Sequence, residues 1–346
     1  MSRVTVLTGG TTPERDVALA GAGQVVAALR ARGHVVTVVD TVDGALSPEQ
    51  EQERLRPVGK EPPTLDELSE LAARELWKEL TVLPAMRDAE VIFPVLHGRQ
   101  GEGGDMQDLL ERAGFTYAGS DPAGSALAMD KDGAKRRLVE ADIPTAPWRM
   151  WPAHEDEIAA LGLPLIVKPS KAGSTVGLTV VRDPCEVPEA VQVALAYDDE
   201  VMLEAFAPGR EYTVGILDDE ALAVGEIIPS HDIFDYECKY TPGMTQEIFP
   251  AELARKAAKQ MRTLGAATHR ALGLRDFSRV DFRLAADGTP WVLEANTLPG
   301  LTATSLLPQS AAAVGIPFEE LCDRICRLAL ARAGAPEAGT KGTPEV

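Results

Sequence analysis

Residues 277–297 read FSRVDFRLAADGTPWVLEANT, two largely apolar strands joined by a short polar turn. Alternate residues of a strand project from the same face, so we expect Glu294 and Asn296 to point together, with Val292 continuing that line. Asp281 lies between apolar neighbours on the preceding strand. Three oxygen-bearing side chains on neighbouring strands form a site for hard divalent cations, and Mg²⁺ suits it best. The alternative is a surface hairpin with solvated polar positions.

The upstream stretch 164–177, PLIVKPSKAGSTVG, is suited to phosphate groups. Lys168 ends an apolar strand, where a lone ammonium group is costly to bury without an anion. Gly173 and Gly177 flank a loop of small residues whose backbone N–H groups can cradle phosphate. The pattern GxxxxGK followed by Ser or Thr is absent, which excludes a P-loop, and a plain glycine-rich turn is the alternative. Lys131, near the start of a helix, is a weaker candidate for the same role.

Two later segments suit the rest of a nucleotide. Glu204 and Glu211 bracket a turn after an apolar strand, where backbone groups can meet an adenine edge and a carboxylate can accept from a ribose hydroxyl. Solvated surface glutamates are the alternative interpretation. The loop 230–246 is long and rich in aromatic and charged residues, and loops of this size in compact domains are usually lids or disordered. Its aromatic content favours a lid that excludes water.

The N-terminal segment predicts a parallel sheet, because continuous apolar strands alternate with a helix over about 16–32. The strands that we expect are 3–8, 34–40 and 88–96. The loop GGTTPER and His97 follow two of these strands, at the edge where open parallel sheets bind ligands. A GxGxxG pattern is absent, which argues against a dinucleotide-binding fold, and a lone histidine is more often structural.

The remaining chain divides by a change of pattern. Short strands with tight turns follow the N-terminal segment and indicate an α+β region with antiparallel pairing. The charged segment 46–80 looks inserted, and its capping box at Thr64 and Glu67 predicts a peripheral helix without chemistry. The Pro/Gly-rich tail is expected to be disordered. We predict that the chain divides into three domains, 1–120, 121–208 and 209–334, followed by a tail 335–346.

Composition limits the partners of the chain. The 346 residues carry a net charge of −19, with 53 acidic against 34 basic residues, so neither nucleic acid nor an anionic membrane is expected as a partner. An ATP site in such a chain must concentrate its lysines and recruit divalent metal. Four cysteines without a CxxC pair fit a reducing compartment, with Cys322 and Cys326 packing in a helix. We find no apolar signal region and no apolar run near 18 residues, and expect a cytoplasmic protein.

Seven motifs, taken in order, resemble the D-alanine–D-alanine ligases of the ATP-grasp superfamily. They are LTGGTTPERDVAL, VLHGRQGEGG, AMDK, LPLIVKPSKAGSTVG, DYECKY, SRVDF and LEANTLPGLTATSL. The resemblance implies an N-terminal parallel-sheet domain followed by the two α+β halves of an ATP-grasp fold. It also implies ATP-dependent coupling of two D-alanines through D-alanyl phosphate, with two Mg²⁺ (or Mn²⁺) ions. We further expect a homodimer.

The same resemblance assigns roles at the nucleotide. It implies that the ATP contacts are Lys131 and Lys168 at the phosphates, Lys239 at the γ-phosphate, Ser174 in the glycine-rich loop, Glu204, Ala205 and Ala207 at the adenine, and Glu211 at the ribose. It implies that Asp281, Glu294 and Asn296 bind the metal ions. One departure concerns the adenine pocket, where Arg283 stands at a usually apolar position. Either its guanidinium stacks on the base or Phe206 supplies that contact.

Further roles follow for the amino-acid substrates. The resemblance places Glu14 at the first D-alanine's ammonium, His97 near its carboxylate, and Ser305 and Leu306 at the second D-alanine's carboxylate. It places Arg279 and the amides near Gly300 at the reacting carbonyl, and it joins Glu14, Ser174 and Tyr240 in one hydrogen-bonded set. Tyr240 is a lid tyrosine typical of enzymes with an amine nucleophile. At position 234 the family usually has another tyrosine in the lid, and Phe234 replaces it here. Rival interpretations are another carboxylate–amine ligase and a nucleotide sensor without turnover.

Overall fold

Three β-sheets organise the part of the chain that the structure describes, residues 1–58, 63–173, 175–231, 233–234, 238 and 243–334. The structure is a computed structural model. Each sheet is built from strands that are consecutive in the sequence, and each falls within one of the three predicted divisions of the chain. The division into domains itself stays a prediction. The predicted tail lies outside the described residues.

The first sheet has the strand order β3-β2-β1-β4. Its strands are β1 (Arg3–Thr8), β2 (Val35–Asp40), β3 (Gly44–Ala45) and β4 (Val91–Pro94). The helices of this segment are α1 (Arg15–Ala31), α2 (Pro48–Arg54), α3 (Leu65–Ala73), α4 (Pro84–Arg87), α5 (Gly98–Glu102) and α6 (Asp105–Arg112). Strand β1 pairs in parallel with β2 and β4, which confirms the predicted parallel sheet, and β3 adds a short antiparallel edge. Gly33, at φ +84°, follows the end of α1.

The segment 46–80 differs from the predicted insertion at its C-terminal end. The capping box that opens α3 at Thr64 is present, and α3 is peripheral. Leu76 and Trp77, however, pack against the core beneath the first sheet, and Leu80 is fully buried there. The backbone N–H of Leu76 also donates to the carbonyl of Thr41 at 2.8 Å. The end of this segment therefore belongs to the core, because its apolar side chains cover one face of the sheet.

The second sheet is antiparallel, with the order β5-β8-β6-β7. Its strands are β5 (Trp148–Met150), β6 (Leu165–Pro169), β7 (Thr179–Val181) and β8 (Val201–Ala205), and its helices are α7 (Pro122–Met129), α8 (Lys131–Glu140), α9 (Glu155–Leu161) and α10 (Val187–Leu195). The stretch STVGLTVV (174–181) predicts a strand over its whole length, but β7 begins only at Thr179. Thr175 and Gly177 adopt φ +62° and +71°, values that a strand cannot accommodate. The glycine-rich stretch is therefore a turn beside β6.

The third sheet is also antiparallel, in the order β11-β10-β9-β12-β13. Its strands are β9 (Arg210–Leu217), β10 (Glu220–Pro229), β11 (Thr245–Ile248), β12 (Phe277–Leu284) and β13 (Pro290–Asn296). The helices of this segment are α11 (Arg255–Ala271), α12 (Leu306–Ala312) and α13 (Phe318–Gly334). The last helix returns to pack on α1, where Cys322 and Cys326 are buried as predicted. Among the described residues, no helix combines the length and apolar character needed to cross a bilayer.

A register shift in the β12–β13 hairpin corrects one prediction. Asp281 pairs with Glu294, but the next residue, Phe282, pairs with Val292, so Leu293 is an extra residue in β13. A bulge of this kind breaks the alternation of faces. Val292 is therefore fully buried in the core instead of continuing the line of Glu294 and Asn296.

Candidate active site

A cleft between the second and third sheets adjoins a cavity beside the first sheet. The two share Lys131, Ala172, Gly173, Phe234 and Glu294 in their linings. The predicted residues that line the cleft are Lys131, Lys168, Glu204, Ala207, Glu211, Asp281 and Glu294. Those that line the cavity are Glu14, His97, Lys131, Arg279, Glu294, Asn296, Gly300, Ser305 and Leu306.

Ala205 is the predicted residue that the structure describes but does not place in this space. Its N–H donates to the carbonyl of Pro147 at 2.9 Å, which joins β8 to the segment before β5. Three further predicted residues, Ser174, Lys239 and Tyr240, lie outside the described residues. Described parts of the predicted lid do reach the cleft, since Ile233 and Phe234 line it. The hydroxyl of Thr175 donates to the carbonyl of Phe234 at 3.0 Å, so the glycine-rich turn contacts the lid segment.

The candidate metal ligands cluster where β12 and β13 pair. The Asp281 carboxylate accepts hydrogen bonds from Thr213 at 2.7 Å and from the Asn296 amide at 3.0 Å. Glu294 lies directly opposite Asp281 in the register. Arg279 also donates to Asp281, at 2.8 Å, so the carboxylate is shared between a cation and polar donors. The antiparallel pairing of the two strands holds all of these groups together.

The chemistry of this donor set fits a hard divalent cation. Two carboxylates and one amide supply oxygen atoms, and a half-turn of the Asn296 amide exchanges its nitrogen for its oxygen. Among the described residues, the structure contains no group of three or more His, Cys, Asp and Glu side chains suited to a metal ion. The candidate site therefore depends on Asn296 as its third protein ligand, together with Asp281 and Glu294.

A buried carboxylate links two lysines on the other side of the cleft. Glu204 accepts from Lys168 at 2.6 Å and lies 2.5 Å from the ammonium of Lys135. Burial alone would raise the pKa of Glu204, but the two ammonium groups outweigh it and lower this pKa to about 2. Sequence reasoning missed Lys135, although it lies four residues after Lys131 and hence on the same side of α8. Lys131 itself donates to the carbonyl of Ala172 at 2.6 Å and lies 4.0 Å from Glu294.

Arg283 and Phe206 share the far end of the cleft. The Arg283 guanidinium carbon lies 4.8 Å from the centre of the Phe206 ring, a stacking distance. The same guanidinium lies 3.5 Å from the Glu211 carboxylate and 3.4 Å from the carbonyl of Ala207. Both residues of the predicted alternative therefore line the cleft, stacked on each other, and Arg283 connects the turn after β8 with β9.

Two half-buried titratable groups shape the electrostatics of the cavity. Glu102, which sequence reasoning missed, accepts from the backbone N–H of Gly98 at 3.0 Å and of Leu298 at 3.4 Å. Burial, with a smaller contribution from Glu14, raises the pKa of Glu102 to about 8, so this carboxyl is largely protonated at neutral pH. Burial also lowers the pKa of His97 and keeps its ring neutral there. The other charged groups of the cavity are Glu14, Glu247 and Arg279, with Lys131 and Glu294 where it adjoins the cleft.

The second end of the cavity is formed by the loop after β13. Ser305 is the residue before α12, and its hydroxyl accepts from the N–H of Thr302 at 3.1 Å. A Cβ atom at Gly300 would lie 2.9 Å from that hydroxyl, so glycine leaves room for the close approach of the two residues. Leu306 is buried at the first position of the helix. This loop thus lines the cavity that also holds Arg279.

Two antiparallel sheets enclosing a cleft with paired lysines on one side and carboxylates on the other define the class: the chain is an ATP-grasp protein. Two solved structures share the fold over nearly the whole chain. The D-alanine–D-alanine ligase from Bacillus anthracis, complexed with ATP, superposes with a TM-score of 0.75 at 28% identity, covering 96% of this chain and 99% of that one. The VanG D-Ala:D-Ser ligase from Enterococcus faecalis gives a TM-score of 0.78 at 27% identity, covering 95% and 99%.

Sequence comparison gives the family. The family models "D-ala D-ala ligase N-terminus" and "D-ala D-ala ligase C-terminus" match residues 3–120 and 139–327. A D-alanine–D-alanine ligase from Geobacter sulfurreducens is 40% identical over 94% of this chain and 93% of its own length. One from Gloeobacter violaceus is 39% identical over 93% and 98%. The chain belongs to the D-alanine–D-alanine ligase family, and it is an ATP-dependent ligase.

Proposed function

We propose that the chain couples two D-alanines at the expense of ATP, through a D-alanyl phosphate intermediate, and so supplies the dipeptide for peptidoglycan. The observation that carries this proposal is that the cleft and the cavity adjoin, with Glu294 in the lining of both. Lys168 and Asp281 line the cleft, and Arg279 and Glu14 line the cavity, while Glu294 lines both. A phosphate group in the cleft and a carboxylate in the cavity can therefore meet near Glu294. The names of the relatives support the choice of D-alanine.

In the first step, the carboxylate of one D-alanine attacks the γ-phosphate of ATP, and ADP leaves. Two anions must approach each other, so the site has to place positive charge around the transferred phosphoryl group. Lys131 and Lys168 line the cleft where they can contact the phosphates. Asp281, Glu294 and Asn296 would hold two Mg²⁺ (or Mn²⁺) ions, which supply further charge neutralisation when bound. Glu204, Ala207 and Glu211 lie where the adenosine would extend.

In the second step, the amine of the other D-alanine attacks the acyl phosphate, an amide bond forms and phosphate leaves. Negative charge develops on the reacting carbonyl oxygen, and Arg279 with the backbone amides near Gly300 can donate to it. Such donors contribute about 3 kcal/mol each to the stabilisation of a transition state. Glu14 would hold the first ammonium, with neutral His97 nearby. Ser305 and the N-terminal end of α12 would hold the second carboxylate.

Water must be excluded from this space, because the acyl phosphate would otherwise hydrolyse. The lid segment is suited to that role, since Phe234 lines both the cleft and the cavity. The predicted set of Glu14, Ser174 and Tyr240 would tie the N-terminal loop, the glycine-rich turn and the lid together, and Lys239 would reach the γ-phosphate. Ala205 would contribute only its carbonyl to the adenine, since its N–H is used within the fold.

The test is ADP and phosphate release by the purified chain with ATP and Mg²⁺, measured separately with D-alanine, D-serine, D-lactate and L-alanine, together with the product mass. We expect release that depends on D-alanine and a product of the dipeptide's mass. Release without D-alanine dependence, or D-lactate outcompeting D-alanine near neutral pH, would contradict the proposal. D-serine is included because the VanG neighbour is named a D-Ala:D-Ser ligase.

Three further predictions complete the proposal. A cytoplasmic location agrees with the thiol state of the four cysteines, Cys185, Cys238, Cys322 and Cys326, of which the last three are buried. A homodimer is expected from the family resemblance, and sedimentation of the purified chain measures it. The strongly acidic surface supports the expectation that neither nucleic acid nor an anionic membrane is a partner.

A further inference from the structure

Lys135 is a buried lysine that lies behind the cleft without lining it. Its side chain is 2% exposed, and its ammonium meets three acceptors: Glu204 at 2.5 Å, the hydroxyl of Thr145 at 2.6 Å and the carbonyl of Ala146 at 2.9 Å. Two hydrogen bonds and one ion pair therefore hold this ammonium group. The Trp148 ring, 5.3 Å away, covers it further. Lys135 is therefore fixed in place and cannot reach a ligand in the cleft.

Lys168 contacts the other oxygen of the same carboxylate, but it does so from the wall of the cleft. It donates to Glu204 at 2.6 Å, and its side chain lines the cleft. Glu204 thus has two counter-ions, one enclosed in the fold and one beside the ligand space. A buried carboxylate with no counter-ion is strongly disfavoured. Lys168 can therefore leave Glu204 only if Lys135 stays beside it.

Within the proposed function, we infer that Lys135 is a positioning residue: it is the fixed counter-ion of Glu204, which lets Lys168 transfer its contact from Glu204 to a phosphate oxygen of ATP. Lys135 thereby also keeps the Glu204 carboxylate charged and oriented toward the adenine end of the cleft. Burial lowers the pKa of Lys135, and the nearby Glu204 carboxylate opposes that shift. The role is indirect, because Lys135 acts through Glu204 and Lys168.

A double-mutant cycle of Lys135→Met and Glu204→Gln tests this inference. If Lys135 acts as a counter-ion, Lys135→Met alone raises the KM for ATP by about tenfold or more and leaves the KM for D-alanine unchanged. In the Glu204→Gln background there is no carboxylate to neutralise, so adding Lys135→Met changes the KM for ATP by less than about twofold. A lysine with only a packing role would instead give equal losses in both backgrounds, and that result would overturn the inference.

The controls separate this inference from the proposed function. Lys256→Met removes an exposed lysine on α11 and should leave both KM values unchanged. If the wild type forms the dipeptide but the two losses are additive, only the role of Lys135 is wrong. If Lys135→Met does not fold, the same logic applies to stability: Glu204→Gln must then restore folding in the double variant. A double variant that remains unfolded overturns the inference.

Discussion

Replacing Lys168 by methionine separates the charge of this residue from its packing. Methionine keeps most of the side-chain volume, so the change removes the ammonium without opening a large cavity. The lost interaction is the 2.6 Å hydrogen bond to Glu204, and hydrogen bonds to charged groups contribute about 1.5–3 kcal/mol to stability. Glu204 keeps Lys135 at 2.5 Å, so its carboxylate is not left unpaired. We therefore expect a folded variant with a loss at the lower end of that range.

The effect on catalysis should be larger than the effect on stability. Lys168 lines the cleft, and a charge that meets a transferred phosphoryl group stabilises the transition state where the negative charge is greatest. Removing one such donor typically lowers turnover by about 10²–10³-fold, which corresponds to about 3–4 kcal/mol. Rate and stability should therefore separate in this variant, with a large loss of rate in a protein that still unfolds cooperatively.

The assay is D-alanine-dependent ADP release at saturating substrates, with thermal melting of the same samples and Lys256→Met as the matched control. Turnover close to that of the wild type in Lys168→Met would refute the assignment of Lys168 to the phosphates. An unfolded variant would refute a different step, namely that Lys135 is enough to neutralise Glu204.

Three further outcomes follow from the site. Asp281→Asn keeps the size of the side chain but removes its charge, so we expect turnover to fall by about 10²-fold or more and the Mg²⁺ requirement to rise, measured by titrating Mg²⁺ in the ADP assay; an unchanged Mg²⁺ dependence would contradict the metal assignment. Arg283→Met removes the contacts to Glu211 and Ala207, so the KM for ATP should rise several-fold while the KM for D-alanine stays constant, with exposed Arg255→Met as the control. Glu102 has a pKa of about 8 in the folded chain, above its ordinary value, so its contribution to stability is full below about pH 4.5 and is lost as pH rises through about 8. Glu102→Gln cannot ionise, and denaturation across this range should show the variant gaining relative to the wild type as pH rises; a constant difference would contradict it.

The placement of the candidate site follows from the sequence because its residues lie on regular secondary-structure elements. Asp281 and Glu294 lie on two strands that a short turn joins, and antiparallel pairing brings such strands together whatever the rest of the fold does. Lys168 ends an apolar strand, where its ammonium group is costly to bury without an anion. The parallel first sheet can also be predicted from regular elements, because β1, β2 and β4 are continuous apolar runs.

The features that sequence reasoning missed arise from irregular backbone or from tertiary contact. The extra residue Leu293 cannot be seen in an alternating pattern, and it moves Val292 into the core. Glu102 resembles any charged residue of a short helix, and only the approach of the Leu298 amide shows that it is enclosed. Leu76 and Trp77 follow a peripheral helix, so their burial depends on how the chain turns back under the first sheet. Local patterns do not contain this information.

The acidic composition of the chain explains why its cations are arranged in this way. A protein with a net charge of −19 repels ATP at long range, so attraction has to come from groups that are close to the nucleotide and poorly screened. The cleft meets this need with Lys131 and Lys168, while Glu204 would cancel one of their charges if it had no other partner. Lys135 removes that cancellation, because it neutralises Glu204 from within the fold. Lys135 and Lys168 around Glu204, with Lys131 farther along the cleft, thus leave positive charge available to an anionic ligand.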